Sequence, residues 1–224
     1  GRWSLLPQPE TATTVRAAAL AEQLLDRHGV VTRGAVQSEG VAGGFALAYK
    51  VLAGLEATGR TRRGYFVDGL GAAQFATPAT VDRVRAFADE PEEDDPPVAL
   101  TLAATDPANP YGAALAWPPT LSGEGSGHRP GRKAGALVVL VDGGLALYVE
   151  RGGKTVLDLL PHGDDRAERC RAAAAVSLAG TVRAAGGRLR IEKVDGAFAL
   201  GTPLGDALVA AGFAATPQGL RLRG

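Results

Sequence analysis

The stretch from Val30 to Ala76, VVTRGAVQSEGVAGGFALAYKVLAGLEATGRTRRGYFVDGLGAAQFA, restricts the fold of this chain more than any other. Thr32 is placed to cap a short helix through Val36 to about Glu39, and GVAGG then turns the chain. Phe45, Leu47, Ala48, Val51, Leu52 and Leu55 recur at helical spacing and predict a longer helix from about Gly44 to Thr58, which Gly59 stops. RTRRGYFV has strand character, DGLG turns the chain, and AAQFA returns it as a hairpin. Two helices, a turn and a basic hairpin are the order of a winged helix, a module that most often binds nucleic acid.

The flanks extend this block. Thr13 or Thr14 is placed to cap a helix to about His28, with Val15, Ala18, Ala19, Leu24 and Leu25 as its apolar face and Gly29 as its stop. TPATVDRVRAFA predicts a closing helix with proline near its first turn. DEPEEDDPP has the composition of a solvated linker, so three regions are expected. They are a winged-helix domain over residues 1–88, an acidic linker over 89–98 and a second domain over 99–224.

The second domain opens with the strand VALTLAA and a Pro/Gly/Trp-rich connection from Asp106 to Gly131. GALVVLVDGGLALYVERGGKTVLDLL then breaks short apolar runs with DGG and RGG turns, a β-meander pattern. An Ala-rich helix over 164–185, two strands around the DG turn of RLRIEKVDGAFAL, the helix PLGDALVAAGF and a final GLRLR follow. Five or six strands with two helices suit a small barrel or half-barrel with helical cover. The expected class is α+β, a winged-helix domain followed by a small β-barrel-like domain.

A net charge of zero argues at first against a nucleic-acid partner, but the charges are segregated. Residues 1–88 hold 10 Lys/Arg against 7 Asp/Glu, residues 89–98 hold six acids and no base, and residues 99–224 hold 14 against 11. Two mildly basic blocks therefore flank an acidic linker. The single Cys170 excludes an internal disulfide, fits a reducing cytosol and reads as a small buried helix residue. No apolar run is long enough to span a membrane, and no secretory signal opens the chain, so a cytoplasmic location is expected. The absence of an initial methionine suggests a piece of something larger.

In a winged helix the third helix enters the major groove and the wing sends cations towards phosphates. The exposed candidates are Tyr49 and Lys50 on the helix and Arg60, Arg62, Arg63 and Tyr65 on the wing. Such contacts make binding steeply salt-dependent. The plainer alternative is a protein-docking or spacer module whose arginines solvate a hairpin. In HRPGRKAG, Arg129, Arg132 and Lys133 sit in a glycine-rich loop that could grip phosphates or equally be a solvated loop. GGKT at residues 152–155 lacks the earlier glycine of a phosphate-binding loop, since Tyr148 stands there, and reads as a hairpin turn. His28, His128 and His162 are isolated and show no metal-ligand spacing. Asp106, Asp158, Asp164, Asp165 and Asp195 are general bases only in the sense that any carboxylate is, and Asp142 and Asp195, each before glycine, read as turn residues.

GRWSLLP, LLDRHGVVTRGAV, the segment from GVAGG to AAQFA, TDPANPYGAAL, RPGRKAGALVVLVDGGLALYVERGGKT and GFAATPQGLRLR together resemble the C-terminal part of bacterial large helicase-related (Lhr) proteins, in order along nearly the whole chain. The resemblance implies an ATP-dependent DNA helicase linked to repair, with the helicase core preceding tandem winged helices and a β-barrel. It implies DNA and the upstream helicase domains as partners, self-association through the extension, and no cofactor in this chain, ATP and Mg belonging to the absent core. It also implies a likeness to AlkZ-type DNA glycosylases, some relatives acting on uracil. Gln74 in GLGAAQF follows a wing, so the AlkZ-type glutamine role is not carried to it, and neither Asp195 nor Asp206 matches a catalytic aspartate of the family. The expected function is a DNA-binding and assembly region of a repair helicase. The alternatives are part of a uracil-DNA glycosylase, or an oligomerisation scaffold in which apolar strands and Trp117 face another subunit.

Overall fold

The computed structural model describes residues 3–71, 73–88, 95–119 and 129–224. The chain divides into two compact units, residues 1–90 with 113–115, and residues 91–112 with 116–224. Most of the expected acidic linker, residues 89–94, lies outside the described residues.

The first unit runs α1 (Thr13–His28), β1 (Val30–Val31), α2 (Arg33–Ser38), α3 (Gly44–Ala57), β2 (Arg62–Gly64), β3 (Gln74–Ala76) and α4 (Pro78–Arg85). Its strands form an antiparallel sheet in the order β1-β3-β2. Thr32 caps α2 by accepting the Ala35 N–H, and Thr77 caps α4 with Pro78 in its first turn. The start of α1 differs from expectation. Its N-cap is Ala12 with no side-chain cap, and the Glu10 carboxylate instead accepts the Ala12 N–H at 2.8 Å.

The buried face of α1 is also rotated: Ala17, Ala21, Leu24 and Leu25 are inside, while Val15 is exposed. In an alanine-rich helix many phases look equally apolar, and stepping back from Leu24 and Leu25 by about one turn selects Ala21 and Ala17. These side chains meet Val31, Val36, Ala48, Leu52 and Phe75 in one core. Burying each large side chain there contributes about 1.5–3 kcal/mol. That core fixes α3 against the wing hairpin.

The second unit runs β4 (Ala99–Ala103), β5 (Leu137–Val141), β6 (Gly144–Val149), β7 (Thr155–Asp158), α5 (Asp165–Ala184), β8 (Arg188–Ile191), β9 (Lys193–Val194), β10 (Ala197–Phe198), α6 (Pro203–Ala210), β11 (Ala214–Thr216) and β12 (Gly219–Arg223). Six strands form a sheet in the order β10-β9-β7-β6-β5-β4, and three form a second in the order β11-β12-β8. Among the described residues neither sheet closes into a barrel, so the expected barrel-like domain is a pair of open sheets around helices.

One face of the large sheet packs on α5 and α6 through Val139, Leu147, Val156, Leu178 and Leu208. The other carries Val138, Leu140, Tyr148 and Leu157, covered by Tyr111 and Trp117. Burial on both faces explains why LVVLV and LALYV read as continuous apolar runs rather than alternating ones. Trp117 lies 6.2 Å from Tyr111 and 5.8 Å from Tyr148 between ring centroids, so it packs within this unit. Burial pushes the Tyr148 hydroxyl above its ordinary pKa, and the hydroxyl donates to the Gly131 carbonyl at 3.1 Å.

Candidate nucleic-acid interface

Two successive glycines with positive φ, Gly43 at 84° and Gly44 at 59°, end the α2–α3 turn and start α3. A side chain would be strained at either position. The turn leaves an open groove of about 620 Å³ lined by Arg33, Gln37, Phe45, Tyr49 and Ala73. Arg33 stands over the Phe45 ring at 5.4 Å, with its guanidinium at the groove. Sequence reasoning passed over Arg33. Its signal was a cation at the first position of α2, immediately after the Thr32 cap.

The solvent stripe of α3 consists of Ala46, Lys50, Gly54 and Ala57, spaced about one turn apart. Tyr49, expected to be exposed, is half-buried. Its ring packs edge-on against Phe75 at 5.4 Å and Phe45 at 6.1 Å, because its position points towards the hairpin. Its hydroxyl accepts a hydrogen bond from Arg63 at 2.6 Å. Direct base readout requires side chains with donors and acceptors, and the stripe offers Lys50 alone. Such a helix can approach a polyanion closely without reading its sequence.

The wing arginines differ in availability. Arg60 pairs with Glu22 at 2.7 Å, and Arg63 pairs with Glu56 at 3.3 Å as well as with Tyr49. Arg62 is exposed and has no ion pair or side-chain hydrogen bond among the described residues. Strand alternation places Arg62 and Arg63 on opposite faces of β2, opposite Ala76 and Phe75. The three arginines therefore do not form one row. Tyr65 is exposed, its hydroxyl 3.5 Å from Asp68.

Gln74 is fully buried and organises the wing loop. Its amide oxygen accepts the Phe66 and Val67 N–H groups at 2.9 Å each, and its nitrogen donates to Val67 at 2.7 Å and Gly71 at 2.9 Å. With donors and acceptor engaged by backbone, Gln74 is a structural residue of the hairpin.

In the glycine-rich loop of the second unit, His128 lies outside the described residues. Arg129 and Lys133 are exposed. Arg132 is half-buried and donates to the carbonyls of Asn109 at 2.7 Å, Asp106 at 3.0 Å and Thr105 at 3.1 Å. Its guanidinium clamps the 105–111 segment, and its terminal N–H groups are already occupied. The same unit buries an ion pair, Arg171 Nε to Asp158 Oδ2 at 2.6 Å, with Arg171 also reaching Pro161 O at 3.0 Å.

Beside this pair Asp195 accepts the Asp158 N–H at 3.2 Å. Burial is the main cause that raises the Asp195 pKa above its ordinary value, and the Asp158 charge adds to it. Asp142 and Asp195, with φ of 48° and 50°, each precede a positive-φ glycine in a hairpin turn, as their sequence context implied. Gly152 and Gly153 form the turn between β6 and β7, so GGKT is a hairpin. Among the described residues no group of three His, Cys, Asp or Glu could hold a metal ion, and no helix is long and apolar enough to cross a membrane.

Residues 10–96 match the family described as large helicase-related protein, winged-helix domain. The whole chain is 50% identical over 231 aligned residues to a protein of Mycolicibacterium smegmatis (strain ATCC 700084 / mc(2)155) named Lhr helicase/probable uracil glycosylase, covering 15% of it. It is 39% identical, over 98% of its length, to the Lhr helicase/uracil glycosylase of Escherichia coli (strain K12), covering 14% of that protein. The chain thus corresponds to a small part of these much longer relatives.

Proposed function

Because the chain belongs to the large helicase-related (Lhr) family, we propose that it is a DNA-contacting region of a multidomain repair helicase, its winged helix holding duplex by the phosphates. The observation that carries this reading is the solvent stripe of α3, bare except for Lys50, in a unit whose Arg62 on the wing and Arg33 at the groove have no ion pair among the described residues. Small side chains allow close approach, and cations without acidic partners are the ones that gain by meeting phosphate. Tyr65, Arg129 and Lys133 are secondary contacts in this reading, while Arg60, Arg63 and Tyr49 hold the wing to its helices. In this reading ATP and Mg belong to a helicase core elsewhere in such a polypeptide, which would also be its partner.

Titration of a labelled duplex across a salt series tests this. K50Q/R62Q is expected to lower the slope of log affinity against log salt by about 1.8, two phosphate contacts at roughly 0.9 each. An unchanged slope would remove these residues from the interface.

A second reading is supported by the names of both relatives: a contribution to uracil excision. That chemistry requires an extruded base and a positioned carboxylate. Asp195, half-buried and accepting the Asp158 N–H, is the carboxylate to test for it. Uracil release from a uracil-containing oligonucleotide that disappears in D195N would support it. Equal release by both proteins would exclude Asp195.

A further inference from the structure

The three-stranded sheet has one face in the core and one in solvent. Leu189, Ile191, Leu220 and Leu222 are buried, while the alternate positions Arg188, Arg190, Arg221 and Arg223 are exposed. The register sets these arginines directly against one another, Arg221 opposite Arg190 and Arg223 opposite Arg188. Like charges in directly opposed positions destabilise a sheet. The fold therefore holds an arrangement that its own stability does not favour.

The local acid reaches one member of one pair, Arg190, and none of the other three arginines. Glu192 is held between Arg190, which donates through Nε at 2.9 Å, and Lys154 at 3.3 Å; hydrogen bonding from Arg190 is the main cause keeping its carboxyl below the ordinary range. Arg190 also donates to Gln218 at 3.0 Å. Arg188, Arg221 and Arg223 have no ion pair or side-chain hydrogen bond among the described residues.

The face is accessible. The neighbouring strand sets only Ala214 beside Arg221, and an open depression of about 470 Å³ lies against Arg188, Arg190, Arg221, Gly152 and Gln218. The array has rows about 5 Å apart across the strands and a repeat of roughly 7 Å along them. None of the exposed large hydrophobic side chains lies on β8, β11 or β12. The face therefore has neither an aromatic platform for stacking unpaired bases nor an apolar wedge for entering a membrane.

We propose that the exposed face of the β8–β12–β11 sheet is a second nucleic-acid contact, gripping the phosphodiester backbone of a duplex through Arg188, Arg221 and Arg223. The phosphates supply the counter-charge that the fold omits. Arg190, tied to Glu192 and Gln218, orients the ladder rather than binding. These arginines belong to the other unit from the winged helix, and in the sequence they are only alternate strand residues.

The test is the salt dependence of duplex binding by this chain carrying R188Q/R221Q/R223Q. Losing three phosphate contacts is expected to lower the log–log slope by about 2.7, shrinking the affinity ratio between roughly 50 and 200 mM salt by about fortyfold. The thermal midpoint should hold or rise, because opposed like charges have been removed. R188K/R221K/R223K should retain the slope, since lysine binds phosphate as a point charge.

An unchanged slope in the glutamine variant overturns the proposal, as does loss of binding that merely tracks a fall in thermal midpoint. Should the triple variant fold poorly, R221Q alone is expected to lower the slope by about 0.9, and no change there is equally decisive. Binding of anionic-lipid vesicles that the glutamine variant loses, with duplex binding intact, would reassign the face to membranes and sink the proposal. K50Q/R62Q measured alongside separates the two surfaces. If only that variant changes the slope, the ladder reading fails and the wing reading survives; if only the ladder variant does, the reverse holds.

Discussion

Around the wing, Arg60 meets Glu22 and Arg63 meets Glu56 and Tyr49, whereas on the β8–β12 sheet Arg188, Arg221 and Arg223 face other arginines and have no ion pair among the described residues. The wing cations are closely spaced in sequence, which marks them as a basic hairpin. The sheet cations come from segments some thirty residues apart, where each segment alone shows only ordinary strand alternation. Cation density along a chain therefore measures opportunity rather than availability. An arginine is available to a phosphate when its tertiary neighbours leave its donors free, and Arg132 and Arg171 show the opposite extreme, with guanidinium groups satisfied inside the fold.

The most forceful way to break this contrast is to treat an internal arginine as if it were a surface one. R171A leaves the Asp158 carboxylate buried without its partner and is expected to lower the unfolding free energy by about 3–5 kcal/mol, read by chemical denaturation. The salt slope of duplex binding should stay as it was. A stability loss under about 1 kcal/mol would move Arg171 to the surface class.

Within the wing, the comparison sharpens by pairing variants of equal charge change. K50Q/R62Q should lower the slope by about 1.8, and R60Q/R63Q by clearly less, since those arginines already have acidic partners. Equal effects would mean that the pairs with Glu22 and Glu56 open when DNA binds.

Gly54 offers a smaller effect of opposite sign. A Cβ there would meet nothing within 4 Å, so G54A should stabilise the chain by about 0.5–1 kcal/mol. Weaker duplex binding despite that gain would place the partner against the bare stripe of α3, and unchanged binding would place it elsewhere.

The smallest expected effect is the pH dependence of Asp195. Its pKa is raised in the folded state, so its favourable contribution is complete below the ordinary carboxylate value and is lost as pH rises through the raised folded value. Asparagine tolerates the positive φ and can still accept the Asp158 N–H. D195N should therefore flatten that decline and be slightly more stable at neutral pH, measured by thermal unfolding across a pH series. A decline unchanged from the parent would remove Asp195 as its source.

Much of the first unit was legible because its signals are local. Thr32, the glycine turn, the periodic apolar residues of α3 and the hairpin each depend on neighbours within a few positions. The DG and GG turns of the second unit were legible for the same reason, since positive φ is a property of the residue itself. Barrel closure was not, because it depends on whether distant edge strands pair, and among the described residues β4 and β10 remain edges of the larger sheet.

The candidate site divides along the same line. The sequence alone determined which residues are cations, which helix follows the turn and which strands alternate. Only tertiary packing decided that Tyr49 turns inward against Phe75, that Gln74 knits the wing loop, that Arg132 is a clamp and that Arg33 borders a groove. The register of β8 on β12 then set four arginines in opposed pairs. The physical reason is range: backbone preference and periodicity act over a few residues, whereas the partner of a long charged side chain is chosen by whatever the fold places within about 4 Å of its tip.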